Sequence, residues 1–418
     1  YKRRIERDLE RIKGEYLLSE LATRGFLPGY GFPTGIASFD PYSMHDYQFN
    51  KAKKQDKNIR EDNRSRFRDK PGRGLSVALR EYAPGANIVL DGLSYKSAGI
   101  MLNWHNQHTL QSETQKLMKA WRCDHCGAIG HSLGTQFQEK CIQCDETLNL
   151  KHSLDFIEPS GFAVDFYESP TTDVSTQVYI PVQEPWITAN ESIVSLPNPD
   201  MGHYCIGTQG DIFYHSSGQN GQGYAICLFC GKAESIGSNK TILQNHKVLR
   251  GKQSSEQDSR CAGNDHEFSI KSNLHLGFVD HTDVLELYLK SATEGLFLNH
   301  ELKDSKKIAW TLAVVLRQSL ADILGINADE LGYTVKPTVL AECDYPIATI
   351  VIYDDCSGGA GFSSTADRYF DEIFKKVKTE YLQCSCKKVC QNCLLGFDTR
   401  FHVDYLDRHL ALDFLNAV

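Results

Sequence analysis

Cysteine is the residue whose spacing most clearly predicts chemistry in this chain. Fourteen cysteines occur in 418 residues, and most of them are paired as Cys-x-Cys or Cys-x-x-Cys. Such pairs present two thiolates from one tight turn, and zinc prefers four soft ligands in a tetrahedron. In a chain of this length, paired cysteines favour metal sites in a reducing compartment over a disulfide scaffold. The sequence therefore predicts structural metal sites and a cytoplasmic location.

The first cysteine group predicts a zinc ribbon. Two Cys-x-x-Cys pairs, Cys123 with Cys126 and Cys141 with Cys144, are separated by fourteen residues. Two pairs at this separation hold one ion between two hairpins. Gly127, directly after the first pair, suits the tight turn that such a pair requires.

The second group supplies three sulfurs and therefore needs a fourth ligand. Cys227 and Cys230 form one pair, and Cys261 follows about thirty residues later. His246 lies between them in sequence, and we predict a zinc site of three cysteines and this histidine. Three other residues remain alternatives as the fourth ligand: Cys205, His203 and His266.

The third group places four cysteines within ten residues: Cys384, Cys386, Cys390 and Cys393. We predict zinc here, with an iron–sulfur cluster as the alternative, since four cysteines also hold such clusters. Lys387 and Lys388 lie inside the loop and would offset the charge of the thiolates. None of the three groups shows an open coordination position, so we expect about three structural Zn²⁺ ions per chain.

A glycine-rich turn, Gly358-Gly359-Ala360-Gly361, stands between a strand-like run and a helical stretch. Its glycines serve either a tight turn with positive φ or an anion site made of free N–H groups. Asp354 and Asp355 precede it and have the residue type of metal-binding carboxylates in a nuclease, but no third acidic partner stands at a recognisable spacing. The sequence has no Gly-x-x-x-x-Gly-Lys-Ser/Thr phosphate loop. We therefore assign no catalytic residue and predict that the chain alone is not an ATPase.

The charge balance argues against a general polyanion binder. The formal net charge is −8, and zinc sites built from thiolates would make it more negative. Any nucleic-acid contact must therefore use a local patch. Residues 51–73 hold ten Lys or Arg against four Asp or Glu, and this segment is either a solvated loop or a basic arm that reaches phosphates. The candidate nucleic-acid contacts are Lys51, Lys53, Lys54, Arg64, Arg66, Arg68, Gly358, Gly359 and Gly361.

The spacing of apolar residues and the positions of turn-forming residues predict an α+β protein. The half that contains the zinc ribbon is β-rich, and the C-terminal half is α/β in character. We expect helices over 1–24, over Lys306 to Leu324 and near Tyr405 to Leu415, and a strand pair through Val335 and Ile350. The predicted domains are 1–120 (helical entry and connector with the basic loop), 121–150 (zinc ribbon), 151–275 (β-rich with the second metal group) and 276–418 (α/β with the closing cysteines). No apolar run approaches the ~18 residues of a membrane helix, so we expect no membrane partner.

Several motifs, in this order, resemble a known family of bacterial proteins. They are Leu27-Pro28-Gly29-Tyr30-Gly31-Phe32-Pro33, Ala78-Leu79-Arg80-Glu81-Tyr82-Ala83-Pro84-Gly85, the span from Trp121 to Cys144, Pro159-Ser160-Gly161-Phe162-Ala163-Val164-Asp165, Leu276-Gly277-Phe278, Thr282-Asp283-Val284-Leu285-Glu286-Leu287, the Gly-Gly-Ala-Gly turn and the closing cysteines. The pattern is similar to the C-terminal region of superfamily-two DNA helicases that ends in the Mrf-type zinc-binding domain. Such helicases occur in mitomycin repair and in anti-phage systems such as DISARM and Druantia.

The resemblance implies a module that works with an ATP-driven DNA translocase, whose motor domains lie in the same polypeptide or in a partner chain. It implies zinc on the four closing cysteines. The two further zinc groups and the acidic balance favour a defence-system member over a repair helicase. We expect a non-catalytic module that positions DNA or docks other defence-system subunits. A metal-dependent nuclease using Asp354 and Asp355, or a protein–protein scaffold without DNA contact, is the alternative.

Overall fold

The computed structural model describes most of the chain, in eight segments. They are 35–48, 70–102, 117–134, 138–149, 153–237, 243–250, 259–291 and 293–416, apart from the single positions 142, 176, 182, 267 and 397. The helix expected over 1–24 and the basic candidates Lys51, Lys53, Lys54, Arg64, Arg66 and Arg68 lie outside the described residues.

The described strands form two sheets. They are β1 (Ile36–Asp40), β2 (Gly72–Gly74), β3 (Asn87–Leu90), β4 (Leu93–Ile100), β5 (Leu117–Arg122), β6 (Ile129–Leu133), β7 (Leu154–Ile157), β8 (Gly161–Val164), β9 (Trp186–Thr188), β10 (Val194–Ser195), β11 (Gly202–Ser216), β12 (Tyr224–Cys227), β13 (Ala233–Ser235), β14 (Ile270–Leu289), β15 (Leu331–Thr338) and β16 (Ile347–Asp354). The four longer helices are α1 (Leu75–Glu81), α2 (Lys303–Leu324), α3 (Phe370–Lys376) and α4 (Arg408–Asn416).

The smaller sheet has five strands in the order β2-β1-β8-β4-β3. The β1–β8 pair is parallel, and the other pairs are antiparallel. Gly99 of β4 approaches the second metal group closely, because a Cβ on it would meet the carbonyl oxygen of Gly231 at 2.3 Å. The smaller sheet therefore packs directly against that metal group.

The larger sheet has eleven strands and is organised around β14. This strand of twenty residues pairs with β11 and β12, with β7 in parallel, and with β16. Its side chains alternate between two cores, as the pleat requires. Leu285, Leu287 and Leu289 face the helices, and Val284 and Tyr288 belong to the core on the opposite face.

Helix α2 covers one face of the larger sheet. Its twenty-two residues span about 33 Å at 1.5 Å per residue. Ala309, Leu312, Ala313, Leu316 and Leu320 recur at helical spacing and are buried against β14, β16, α3 and α4. The helix ends at Gly325, whose φ of 70° is left-handed and lets its N–H bond back to the last turn.

The expected α+β class is confirmed, and some element bounds differ from expectation. Helix α2 begins at Lys303 rather than Lys306, and the last helix begins at Arg408 rather than Tyr405, because 399–405 form a 3₁₀ helix. Strand β14 runs across the expected boundary at 275/276. The domain division stays a prediction. None of the described helices is long and apolar enough to cross a membrane.

Candidate metal centres

The three cysteine groups converge in space as the spacing predicts. Within each group the ligand atoms lie within 4.8 Å of one another. The groups are Cys123, Cys126, Cys141 and Cys144; Cys227, Cys230, His246 and Cys261; and Cys384, Cys386, Cys390 and Cys393. Each set has four ligand atoms, which matches a closed, tetrahedral zinc site.

The first centre is built from two turns: the first joins the paired strands β5 and β6, and the second lies within the isolated bridge between Lys140 and Thr147. In the first turn, the Cys123 N–H donates to Ala128 O at 2.7 Å, and the Gly127 N–H donates to Cys123 O at 3.0 Å. Gly127 has a φ of +72°, and a Cβ there would lie 3.0 Å from Pro337 O. The turn therefore packs against β15, and the Val339 N–H donates to His125 O at 2.7 Å.

The sulfur spacing of the first centre fits a single ion. Cys123 Sγ lies 3.6 Å from Cys144 Sγ, and Cys126 Sγ lies 3.5 Å from Cys141 Sγ. Tetrahedral zinc with Zn–S bonds of about 2.3 Å requires sulfurs about 3.8 Å apart. The donor set and its spacing therefore suit zinc.

The second centre brings His246 to the three sulfurs. Cys227 ends β12, and its Sγ lies 3.9 Å from Cys261 Sγ, while Cys230 Sγ lies 3.4 Å from His246 Nε2. His246 Nδ1 lies 2.7 Å from Leu243 O. A backbone carbonyl that accepts the Nδ1–H fixes the tautomer in which Nε2 is free to bind a metal. Hydrogen bonding with Cys230 lowers the pKa of the Cys227 thiol to about 4.

The alternative fourth ligands lie elsewhere. Cys205 is buried in a different core, and its Sγ contacts Glu191 O at 3.2 Å. His203 Nε2 faces Glu342 at 3.2 Å. His266 is exposed at the end of the 3₁₀ helix Ala262–Asp265. The geometry therefore selects His246 from the four candidates.

The third centre lies between α4 and the helical turn Val377–Tyr381, which continues α3. Cys384 Sγ and Cys390 Sγ are 3.7 Å apart, as are Cys386 Sγ and Cys393 Sγ. A four-iron cluster places each cysteine on a different iron and so needs its sulfurs further apart than one ion does. The observed spacing suits a single zinc ion.

Arg408 is a residue of the third centre that sequence reasoning missed. This buried arginine begins α4, and its Nε donates to Cys386 Sγ at 3.4 Å while its Nη1 donates to Leu382 O at 3.2 Å. The third guanidinium nitrogen, Nη2, donates to Cys386 O. Lys388, expected to offset the thiolate charge, instead lies 3.8 Å from Asp407. The sequence signal was only an arginine within the last predicted helix, near Tyr405 to Leu415.

The amides of the glycine-rich turn are bound by the chain's own carboxylates and carbonyls, which favours the tight-turn alternative over an anion site made of free N–H groups. Asp354 accepts from the N–H groups of Ala360, Phe362 and Ser363 at 2.7, 3.0 and 2.8 Å. The Gly361 N–H donates to Asp283 at 2.8 Å. The Gly358 and Gly359 N–H groups donate to the carbonyls of His281 and Cys356. In this arrangement Gly358, Gly359 and Gly361 offer no free amide to a phosphate.

The same contacts give Asp354 a structural role. It is 1% exposed, and it also accepts from Ser363 Oγ at 2.6 Å. Asp355 accepts from the Tyr214 hydroxyl at 3.2 Å. Burial raises the pKa of nearby Asp283. Among the described residues, only the three cysteine groups bring three or more potential metal ligands together.

Comparison with known proteins identifies the region around the third centre. Residues 312–394 match the family model of the MrfA Zn-binding domain, MZB. The expected Mrf-type zinc-binding domain is thereby confirmed, and with it the expectation of roughly three zinc ions in the chain.

A curated protein and two solved structures are also similar to this chain. Druantia protein DruE of Escherichia coli (strain UMEA 4076-1) is 25% identical over 432 residues, which is 96% of this chain and 22% of that protein. The chain thus spans about a fifth of the length of this relative. The DUF1998 helicase MrfA bound to DNA matches at 12% identity with a TM-score of 0.40, over 84% of this chain and 32% of that one. The same helicase bound to DNA and AMPPNP matches at 10% identity with a TM-score of 0.32, over 83% and 29%.

Proposed function

We propose that this chain is a non-catalytic, zinc-stabilised module of an ATP-dependent DNA helicase or translocase that acts in anti-phage defence. The observation that carries the proposal is the similarity to Druantia protein DruE along 96% of the chain. The match of residues 312–394 to the MrfA Zn-binding domain supports the helicase association independently. The motor would lie in the same polypeptide or in a partner chain, and other defence-system subunits would dock on this module.

The three metal centres support a structural role for the zinc. Each set of ligands is complete at four, so no position remains for a substrate or an activated water. The first centre holds a turn that packs against β15, and the second holds a turn that packs against β4. The third holds the loop that Arg408 of α4 contacts. A motor that pulls on DNA needs a rigid attachment, and closed zinc sites provide it.

The DNA contacts are proposed at the basic segment, on Lys51, Lys53, Lys54, Arg64, Arg66 and Arg68. A patch of this kind is required because the whole chain is acidic, with a net charge of −8. The amides of the glycine-rich turn bind acceptors of the chain itself, so the proposed DNA contacts are those of the basic segment.

A salt-titrated binding measurement tests the DNA contact. The zinc-loaded chain is titrated against fluorescent single- and double-stranded DNA between about 50 and 300 mM salt. Changing Lys51, Lys53 and Lys54 to Gln should weaken binding and reduce the salt slope by about 0.9 for each duplex phosphate that is no longer neutralised. The matched control changes three exposed cations elsewhere, Lys303, Arg368 and Lys375, to Gln and should leave the slope unchanged.

Two outcomes would replace the proposal. If no DNA form binds even at about 50 mM salt, the chain is a protein–protein scaffold. If the wild-type chain cuts DNA with Mg²⁺ and Asp355→Asn abolishes cutting without unfolding, it is a nuclease. The helicase association itself is tested on the gene, where a Walker-type ATPase motif is expected in the same reading frame or in its neighbour.

A further inference from the structure

A polar cavity lies beside the first metal centre and belongs to none of the three. Its volume is about 330 Å³, and its walls come from the end of β5, from β9 and the residues before it, from β11 and from β15. The lining includes Arg122, Glu184, Trp186, His215, Thr334 and Lys336. Since a water molecule occupies about 30 Å³ in the liquid, the cavity has room for a ligand on the order of ten waters in size.

Arg122 is the unusual member of this lining. It alternates along β5 with Trp121, which packs among the cysteines of the first centre. Its Nε is buried without a hydrogen-bond partner among the described residues, although the side chain as a whole is half-buried. The negative charges of Glu286, Glu184 and Asp124 lie near enough to favour its charged form. A buried N–H without an acceptor is costly, so an acceptor oxygen bound in the cavity would stabilise this arrangement.

Lys336 and His215 add further polar groups. Lys336 Nζ donates to Glu286 at 2.6 Å and to Ile187 O at 3.0 Å, which leaves one of its three N–H groups without an acceptor among the described residues. His215 Nδ1 is likewise buried without a partner in the described part of the chain. The ring of His215 is held by stacking on Phe213, with centroids 5.2 Å apart.

The carboxylates near the cavity are already engaged. Glu286 accepts from Lys336, from the Ala189 N–H at 2.8 Å and from the Tyr288 hydroxyl at 2.6 Å. Glu184 stands half exposed at the rim and accepts from the Thr334 hydroxyl at 3.2 Å. Donors on Arg122 and Lys336 therefore remain without acceptors among the described residues, which favours a ligand rich in acceptor oxygens. Phosphate fits this demand, because its oxygens receive the two-pronged hydrogen bonds of a guanidinium.

We propose that this cavity binds a phosphomonoester, anchored by Arg122. A free nucleotide and the 5′-phosphorylated end of a DNA strand share this chemistry. The proposal goes beyond the helicase assignment and does not depend on it, since inorganic phosphate is itself a probe of the cavity.

Calorimetric titration of the zinc-loaded chain, in a buffer free of phosphate, tests the proposal. The probes are inorganic phosphate, deoxyguanosine 5′-monophosphate, and one short single-stranded DNA with either a 5′-phosphate or a 5′-hydroxyl. If the ligand is a free nucleotide, the mononucleotide should bind more tightly than either DNA. If the ligand is the end of a DNA strand, the 5′-phosphorylated DNA should bind most tightly of all probes. The same DNA with a 5′-hydroxyl should bind more weakly.

Two variants with opposite expected effects keep the test decisive. Arg122→Gln should weaken the binding of the best probe about tenfold or more, because it removes a charge-assisted hydrogen-bond pair. Glu184→Gln, at the exposed rim, should strengthen binding because it removes a repelling charge. Arg368→Gln, at an exposed site outside the cavity, is the control and should change nothing. Zinc content and circular dichroism establish that each variant is folded.

The proposal is overturned if no phosphate-bearing probe binds to the wild-type chain. It is also overturned if binding is unchanged in folded Arg122→Gln. Should Arg122→Gln fail to fold, unchanged or weaker binding in Glu184→Gln would overturn it.

Discussion

At the scale of single residues, the contacts of a side chain decide its role where its type leaves two possibilities. Asp354 has the residue type of a catalytic carboxylate, yet both of its oxygens accept hydrogen bonds from the glycine-rich turn and Ser363. His246 has the residue type of a surface histidine, yet it is buried with Nε2 facing Cys230 Sγ. The first is structural and the second is placed as a zinc ligand.

Zinc content checks the assignment of His246. His246→Ala should lower the zinc content from about three to about two ions per chain, because three sulfurs hold zinc less tightly than a complete set of four ligands. His246→Cys should retain the third ion. His266→Ala is the matched control, and a loss of zinc in that variant instead would assign the fourth ligand to His266.

At the scale of elements, close approaches determine which glycines are required. Gly358 and Gly359 both have left-handed backbones, with φ of +79° and +72°. A Cβ on Gly358 would meet nothing within 4 Å, whereas a Cβ on Gly359 would lie 2.1 Å from Asp283 Oδ2. The turn therefore depends on Gly359 for space as well as for conformation.

Urea unfolding of two alanine variants separates these requirements. Gly358→Ala should cost about 1 kcal/mol, the typical penalty for a left-handed alanine. Gly359→Ala should cost about 2 kcal/mol more, because Asp283 or the strand that carries it must move. Equal losses in free energy of unfolding would show that the close approach to Asp283 does not matter.

Two neighbouring strands of the larger sheet carry a half-buried histidine, His215, and a buried one, His275, that give its stability a pH dependence. Burial lowers the pKa of His215 in β11 to about 3 and that of His275 in β14 to about 4. Both folded pKa values lie below the unfolded value of about 6.5, so the unfolded chain binds more protons in between. This contribution to stability is complete above pH about 6.5 and is lost as the pH falls toward 4.

The free energy of unfolding should therefore fall between pH 6.5 and 4, by up to about 1.4 kcal/mol per pH unit for each histidine. His275→Gln should make the slope shallower. Zinc content measured at each pH separates this effect from metal loss. A slope identical in wild type and variant would contradict the assignment of His275.

At the scale of the whole molecule, the first zinc centre holds a part of the chain whose own apolar core is small. The first centre has its own small cluster, made of Trp121, Ala128, Leu148 and the cysteines, and it meets β15 through backbone contacts. The third centre closes the region between α3 and α4. The free energy of metal binding is therefore part of the free energy of folding.

Elemental analysis should find about three zinc ions per chain, and excess EDTA should lower the melting temperature and broaden the transition. EDTA saturated with Zn²⁺ is the control and should have no such effect, because it cannot take zinc from the protein. A chain that binds iron, or that unfolds identically after chelation, would contradict a structural role for zinc.

The sequence alone determined the features that depend on local spacing. Paired cysteines fix their own separation through a short turn, so the ten paired cysteine ligands could be read from the chain. Cys261, the eleventh, was assigned from its position about thirty residues after the second group's pair. Helix α2 was equally predictable, because its apolar period is long and Gly325 marks its end. For the fourth ligand of the second centre, the sequence indicated His246 only as the preferred one of four candidates. Spacing alone does not decide between ligands that are far apart in sequence.

Only the tertiary structure decided what depends on contacts between distant segments. Asp283 reaches the glycine-rich turn from β14, Arg408 reaches Cys386 from α4, and Arg122 meets β9, β11 and β15 at the cavity. Each of these side chains has an ordinary position in the sequence. Its role follows from which atoms the fold places beside it, because hydrogen bonds and buried charges act over a few ångströms in space and not along the chain.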